Sequence, residues 1–181
     1  PVYDSRWSYP WRVTYCRGNY FVGMAGAGEK MTTTFYEVPP HTSVQISFKL
    51  ALLDSWDQEH FYVIVDGVYR YDTYTAWQWH NAASDKICAT ESWPDTFVDV
   101  SLNFAHTATA MTIVFTSSLD QVWWDESWGI CNFNLYFAGC GAGQYNYNGG
   151  CVNSCPFGTY ISGSNCVACT TSTCISGTST M

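Results

Sequence analysis

The sequence predicts an all-β fold: a two-sheet, jelly-roll-like sandwich followed by a small disulfide-rich module with little regular secondary structure. Three observations carry that expectation. Over residues 43–52, Val44, Ile46, Phe48, Leu50 and Leu52 alternate with Ser43, Gln45, Ser47, Lys49 and Ala51, the period of a strand with one dry and one wet face. No segment sustains an apolar stripe at helical spacing with caps at its ends. Six of the nine cysteines fall between Cys140 and Cys174, a density that reads as a stapled module. The expected division is therefore 1–139 for the sandwich and 140–181 for the cysteine-rich part.

Taken in order, residues 1–10 read as an aromatic, proline-bounded arm or edge strand. Residues 11–16 alternate as a strand, and Gly18-Asn19 supplies a turn. The run GMAGAG at 23–28 has the glycine content of a phosphate loop but no lysine in register and no helical pattern after it, so it reads as a bend between strands. Residues 31–38 are threonine-rich and strand-prone, and Pro39-Pro40 stops them, because proline cannot donate to a sheet ladder. Residues 61–65 and 68–71 flank Asp66-Gly67, a strong hairpin signal. Residues 74–80 carry aromatics at alternate positions. Val98, Val100, Leu102 and Phe104 repeat the period of two, and residues 111–115 and 130–137, with Phe133, Leu135 and Phe137, complete the set. Eight or more such strands with closely spaced turns fit a two-sheet sandwich.

Composition bounds the function. With 47% hydrophobic residues the chain can bury a core, and its 12% charged residues lie far below the usual quarter. A net charge of −8 leaves nothing to neutralise a run of phosphates or to hold an anionic membrane surface. No apolar run approaches the roughly 20 residues of a membrane helix. The cysteine count places the protein in an oxidising, extracellular setting. The chain begins at Pro1 without an apolar leader, as a mature or trimmed chain would. From Ser127 onward there is no Asp, Glu, Lys or Arg. Gly, Ser, Thr and Asn can hydrate such a stretch; burial against further copies of the chain, or O-glycans on Thr170, Thr171, Ser172 and Thr173, would shield it.

Three acid-Ser-Trp clusters stand out: residues 53–59, Glu91-Ser92-Trp93, and Asp125-Glu126-Ser127-Trp128 in front of the last strand run. If the first and last meet at one edge of the sandwich, Asp54, Asp57, Glu59, Asp125 and Glu126 are candidates for a calcium cage, since calcium takes six to eight oxygens from carboxylates and carbonyls. The same acids serve equally as turn caps. Paired carboxylates can also hydrolyse glycosides, but acids in loops carry no specificity for that. His41, His60, His80 and His106 form no metal-binding or nucleophile motif; His41 and His106 are expected to hydrogen-bond at strand ends. Trp77, Trp79, Trp123 and Trp124 are candidate contact aromatics, for glycan stacking or for protein surfaces. Adjacent strand residues face opposite ways, so Trp123 and Trp124 cannot both be core if that run is a strand.

The pattern Cys151-x3-Cys155-Pro-Phe-Gly-Thr-Tyr160, then Cys166-x2-Cys169, resembles one unit of the furin-like, growth-factor-receptor-type cysteine-rich repeats. Such repeats imply Cys151–Cys166 and Cys155–Cys169 pairing. The preceding part resembles a domain found before such repeats in secreted or surface proteins of ciliates and related protists, on Pro40-His41, Asp54 to Glu59, Asp66-Gly67, Cys88, His106 and Asp125 to Ile130. Cys16 and Cys88 are then a candidate bridge across the sandwich. Cys131 can staple the last strand to Cys140 or pair with Cys88. Taken together, these features point to a non-enzymatic extracellular structural protein that self-associates into a coat or filament. The rival is an adhesion module that binds calcium or glycans.

Overall fold

The computed structural model describes residues 7–8, 12–74, 88, 93, 95–148 and 150–169. Among these the chain is β throughout, with thirteen strands and no helix. In chain order they are β1 (Val13–Cys16), β2 (Asn19–Ala25), β3 (Lys30–Phe35), β4 (Ser43–Asp54), β5 (His60–Val65), β6 (Val68–Tyr74) and β7 (Thr96–Ala105). There follow β8 (Met111–Ser117), β9 (Glu126–Ala138), β10 (Tyr145–Tyr147), β11 (Gly150–Val152), β12 (Thr159–Ser162) and β13 (Asn165–Ala168). One sheet has the order β1-β2-β9-β4-β7, a second β3-β8-β5-β6, and a third, small one β11-β10-β13-β12. The chain divides into two compact units, Pro1–Glu37 with Ile46–Leu102 and Ala110–Leu135, and Val38–Gln45 with Asn103–Thr109 and Tyr136–Met181.

In the first unit, two sheets close on an aromatic core, which is where much of the aromatic excess goes. Trp128 of β9 meets Phe61 of β5 edge-on at 5.1 Å between ring centroids, and Phe48 of β4 meets Phe115 of β8 at 5.2 Å. Phe133 also reaches Phe115. Trp128 and Phe133 are five residues apart, so strict alternation would send them to opposite faces. Asn132, at φ 54°, breaks the alternation between them and lets both meet the facing sheet. Trp7 of the N-terminal arm packs on Phe115 and Phe133, and Ser8 exchanges two hydrogen bonds with Thr32 on the edge of β3.

Both hairpin turns among the described residues of this unit have two central residues at positive φ, which matches the right-handed twist of their strands. Asp66 (50°) and Gly67 (78°) join β5 to β6 as expected. The first turn lies one residue earlier than expected, at Arg17 (48°) and Gly18 (76°), because Asn19 already pairs with Cys16 in the ladder.

Two expectations for strand faces are corrected. Ala51, placed on the wet side of β4, is buried with Leu53, Cys16, Phe21, Cys88 and Cys131 in a second small core on that face. The cover brought by Cys88 leaves the second half of β4 dry on both sides. The last acid-Ser-Trp cluster does not precede its strand: Glu126, Ser127 and Trp128 are the first, buried residues of β9.

The glycine run does hold the bend between β2 and β3, but it also brings backbones together. A Cβ on Gly23 (φ 141°) would lie 2.5 Å from the Gly129 Cα and 2.6 Å from the Trp128 carbonyl oxygen. Gly23→Ala should therefore cost about 2–3 kcal/mol through strain between β2 and β9, read as a lowered urea midpoint at unchanged slope. A midpoint equal to wild type would show that the two strands part without cost.

In the second unit, Val38 N–H donates to Thr109 O, Thr42 N–H to Ala138 O and His106 N–H to Thr42 O, which ties its three segments together. Its fastening is disulfide, and the bridges differ from those the repeat resemblance implied. Cys151–Cys166 and Cys155–Cys169 are not formed; Cys140 pairs with Cys151 and Cys155 with Cys166, at Cα–Cα distances of 5.5 and 5.4 Å. The β10–β11 hairpin turns the chain back so that Cys151 Sγ lies 3.8 Å from Gly139 O, beside Cys140. Cys166, opposite Ile161 on β13, then falls to Cys155, and Cys169 is held in a disulfide of its own. In the first unit Cys16 pairs with Cys88. Cys131 pairs with neither Cys140 nor Cys88 and is a buried thiol in the small core, where burial raises its pKa.

Candidate functional site

Two of the acid-Ser-Trp clusters meet at one edge of the first unit. Ser55 Oγ donates to the Asp125 carbonyl at 3.1 Å, and the buried Trp56 donates its indole N–H to the Ser127 carbonyl at 2.9 Å. The tryptophan thus acts as a peg between the β4–β5 loop and the start of β9. Asp125 and Glu126 N–H both donate to Val122 O, which closes a tight turn after β8.

Within this frame Glu59, Asp120 and Glu126 each bring a carboxylate oxygen within 4.8 Å of the others. Glu126 is 1% exposed. Its Oε1 accepts from the backbone N–H groups of Gln121 (3.0 Å) and Asp120 (3.2 Å), which anchors the β8–β9 loop to β9. Its Oε2 is buried and has no hydrogen-bond partner among the described residues. Burial pushes the Glu126 carboxyl up to about 7; the charges of Glu59 and Asp120 add to this, and the two N–H donors oppose it. Glu59 is raised too, by burial first; the Asp57 N–H that donates to Glu59 Oε2 at 2.5 Å opposes the rise, and the Asp57 carboxylate beside it adds to it.

Of the five acids expected to hold calcium, the structure brings together Glu59 and Glu126. Asp54, Asp57 and Asp125 stand outside the group: Asp54 is buried at the end of β4 with φ 65°, Asp57 hydrogen-bonds Glu59 through its backbone, and Asp125 is exposed. Asp120 was missed. It is a solitary acid in Ser-Leu-Asp-Gln, and only the return of β9 places it opposite Glu126. The all-oxygen donor set suits a hard cation. Oxygens bound to calcium at roughly 2.4 Å lie at most about 4.8 Å apart, the limit within which these three fall.

The same loop carries Trp123 and Trp124. They lie in the turn rather than in a strand, so the opposite-face argument does not apply; Trp123 is half-buried and Trp124 is 55% exposed. Trp77 and Trp79, like Thr170, Thr171, Ser172 and Thr173, lie outside the described residues. His41 and His106 do hydrogen-bond at strand ends. His41 Nδ1 donates to Pro39 O, its Nε2 meets His106 Nδ1, both at 2.6 Å, and the two rings stack.

No protein-family model matches the chain, and no curated protein does. Among solved structures it is similar to the CBM36-1 domain of a multidomain xylanase from the hindgut metagenome of Trinervitermes trinervoides, at 12% identity and TM-score 0.46, over 71% of this chain and 87% of that one. It is also similar to a CBM4 structure (10% identity, TM-score 0.40, 74% and 95% covered). A carbohydrate-binding module CBM36 in complex with calcium and xylotriose matches at 12% identity and TM-score 0.38, over 64% and 78%. The likeness is too distant for any ligand of theirs to pass to this chain. What the chain's own strands define is an all-β sandwich with a disulfide-fastened second unit.

Proposed function

We propose that the chain is an extracellular, non-catalytic recognition module in which a calcium ion held by Glu59, Asp120 and Glu126 sets the loop that meets the ligand. The observation that carries this reading is the Glu126 Oε2 atom, fully buried, without a partner among the described residues, and beside two further carboxylates. A buried carboxylate left so is costly unless a proton or a cation satisfies it. A cation here would join Asp120 to Glu126, the two ends of the loop that bears Trp123 and Trp124. The disulfides fit an oxidising compartment.

Calorimetry on the oxidised full chain after chelation tests it. One calcium ion per chain is expected, together with a gain of about 2.7 kcal/mol in unfolding free energy when free calcium is a hundred times Kd. Absence of both heat and stabilisation at millimolar calcium would remove the reading.

A second reading, a subunit of a homopolymeric coat or filament, is favoured by a separate observation. Phe157 (87% exposed), Tyr160, Ile161 and Val167 lie exposed on a unit that carries no Asp, Glu, Lys or Arg. Sedimentation at rising concentration should then show assemblies that Ile161→Lys disperses; monodisperse wild-type chains would end that reading.

A further inference from the structure

Resting on the calcium reading, we propose that the β8–β9 loop is a sugar site whose ligand is a neutral pyranose with equatorial substituents, stacked on the open face of Trp124. Trp124 is a held platform rather than a loose side chain. It packs edge-on against Trp123, with centroids 5.3 Å apart and planes at 87°. Trp123 is in turn covered by the Arg12 guanidinium, 4.5 Å from its ring centroid. Arg12 is fixed by the Met24 carbonyl at 2.8 Å and by Glu29 Oε2 at 3.2 Å, and that same oxygen accepts Gly26 N–H at 2.8 Å. Gly26 lies so close that a Cβ would come within 2.5 Å of Trp123 N, and Ala27 N–H donates to Gln121 O at 2.8 Å. An aromatic surface already ordered loses little entropy when a ligand settles on it.

The surroundings choose the ligand class. The loop that bears Trp124 also carries Asp120, Gln121 and Asp125, all exposed. Carboxylates and a carboxamide accept and donate to vicinal hydroxyls, whereas a protein partner would desolvate these acids and must bring cations to match them. Anionic sugars and anionic lipid headgroups meet like charge in the same place. Equatorial substitution leaves a flat face of axial C–H bonds that can lie on an indole; an axial hydroxyl would put a polar group against the ring.

Cellohexaose and chitohexaose, with mannohexaose (axial O2) and polygalacturonate as contrasts, are the probes for isothermal titration of the calcium-loaded full chain. At least one of the first two should bind, more tightly than either contrast. Trp124→Ala should weaken that binding about tenfold or more while calcium still binds. Tyr69→Ala removes an aromatic on β6 that is at least as exposed as Trp124 and should change nothing. A calcium-loaded protein that takes up neither equatorial oligosaccharide, a Trp124→Ala chain that binds as wild type, or mannohexaose bound equally well would overturn the proposal. Failure of the calcium reading shows separately, as absence of calcium heat before any sugar is added.

Discussion

In chelated protein at pH 8, Glu126→Gln should raise the unfolding free energy above wild type, and in millimolar calcium it should lower it. Burial holds the Glu126 carboxyl at about 7 in the fold, against an ordinary value of 4.5. The folded state therefore binds the proton more tightly than the unfolded chain does. Stability from the protonated group is complete below the unfolded value, falls as pH rises from there, and is gone above the folded one. A shift of this size corresponds to something on the order of 3 kcal/mol across that window. Glu59, raised by burial, acts in the same direction. The amide of glutamine cannot ionise and its oxygen can still accept the N–H groups of Asp120 and Gln121, so the variant should keep its stability as pH rises. Calcium reverses the order because it needs the carboxylate: wild type gains the cation's binding free energy and the variant does not. Urea titrations from pH 4.5 to 8, with chelator and with calcium, measure all four curves. Parallel pH profiles for the two proteins in chelator would show that Glu126 carries no buried charge problem and would undercut the site.

How far the sequence reveals this fold depends on whether a feature is local. The alternation of β4 and the Asp66-Gly67 turn are properties of a few neighbouring residues, and the strand and the hairpin lie where those residues put them. His41 and His106 at strand ends were legible for the same reason: Pro39-Pro40 stops the sheet, and a polar ring beside the stop needs a partner. What was hidden is set by segments distant in the chain. Ala51 looks like a wet-face residue until Cys88 covers that side of the sheet. Asp120 shows no signal beyond being an acid, and only the tight turn through residues 122–125 returns Glu126 to it. Glu126 itself looked like a loop acid because buried charged residues at strand starts are rare. The cysteine-rich part offered a spacing that fits a familiar repeat, but the β10–β11 return places Cys151 next to Cys140, and every later pairing moves with it.

Removing the Cys16–Cys88 bridge should be the most damaging single change in the first unit. The cysteines are 72 residues apart, and closing a loop of that length in the unfolded chain is worth about 4 kcal/mol in the chain-entropy description. That is a large share of the roughly 5–15 kcal/mol by which domains of this kind are stable. The bridge also lies inside the small core of Ala51, Leu53, Phe21 and Cys131, and it holds the segment in which Cys88 N–H donates to the buried Asp95 carboxylate at 2.8 Å. A Cys16→Ala/Cys88→Ala chain loses the cross-link but keeps methyl groups in that core, which isolates the contribution of the bridge from that of packing. Because the cross-link chiefly restricts the unfolded chain, its loss should also steepen the urea dependence, as the released chain exposes more surface. Both effects are read from the same titration. A stability loss below about 1 kcal/mol with an unchanged slope would mean that contacts around Cys88 already fasten the segment, and that the bridge only locks in what packing had fixed.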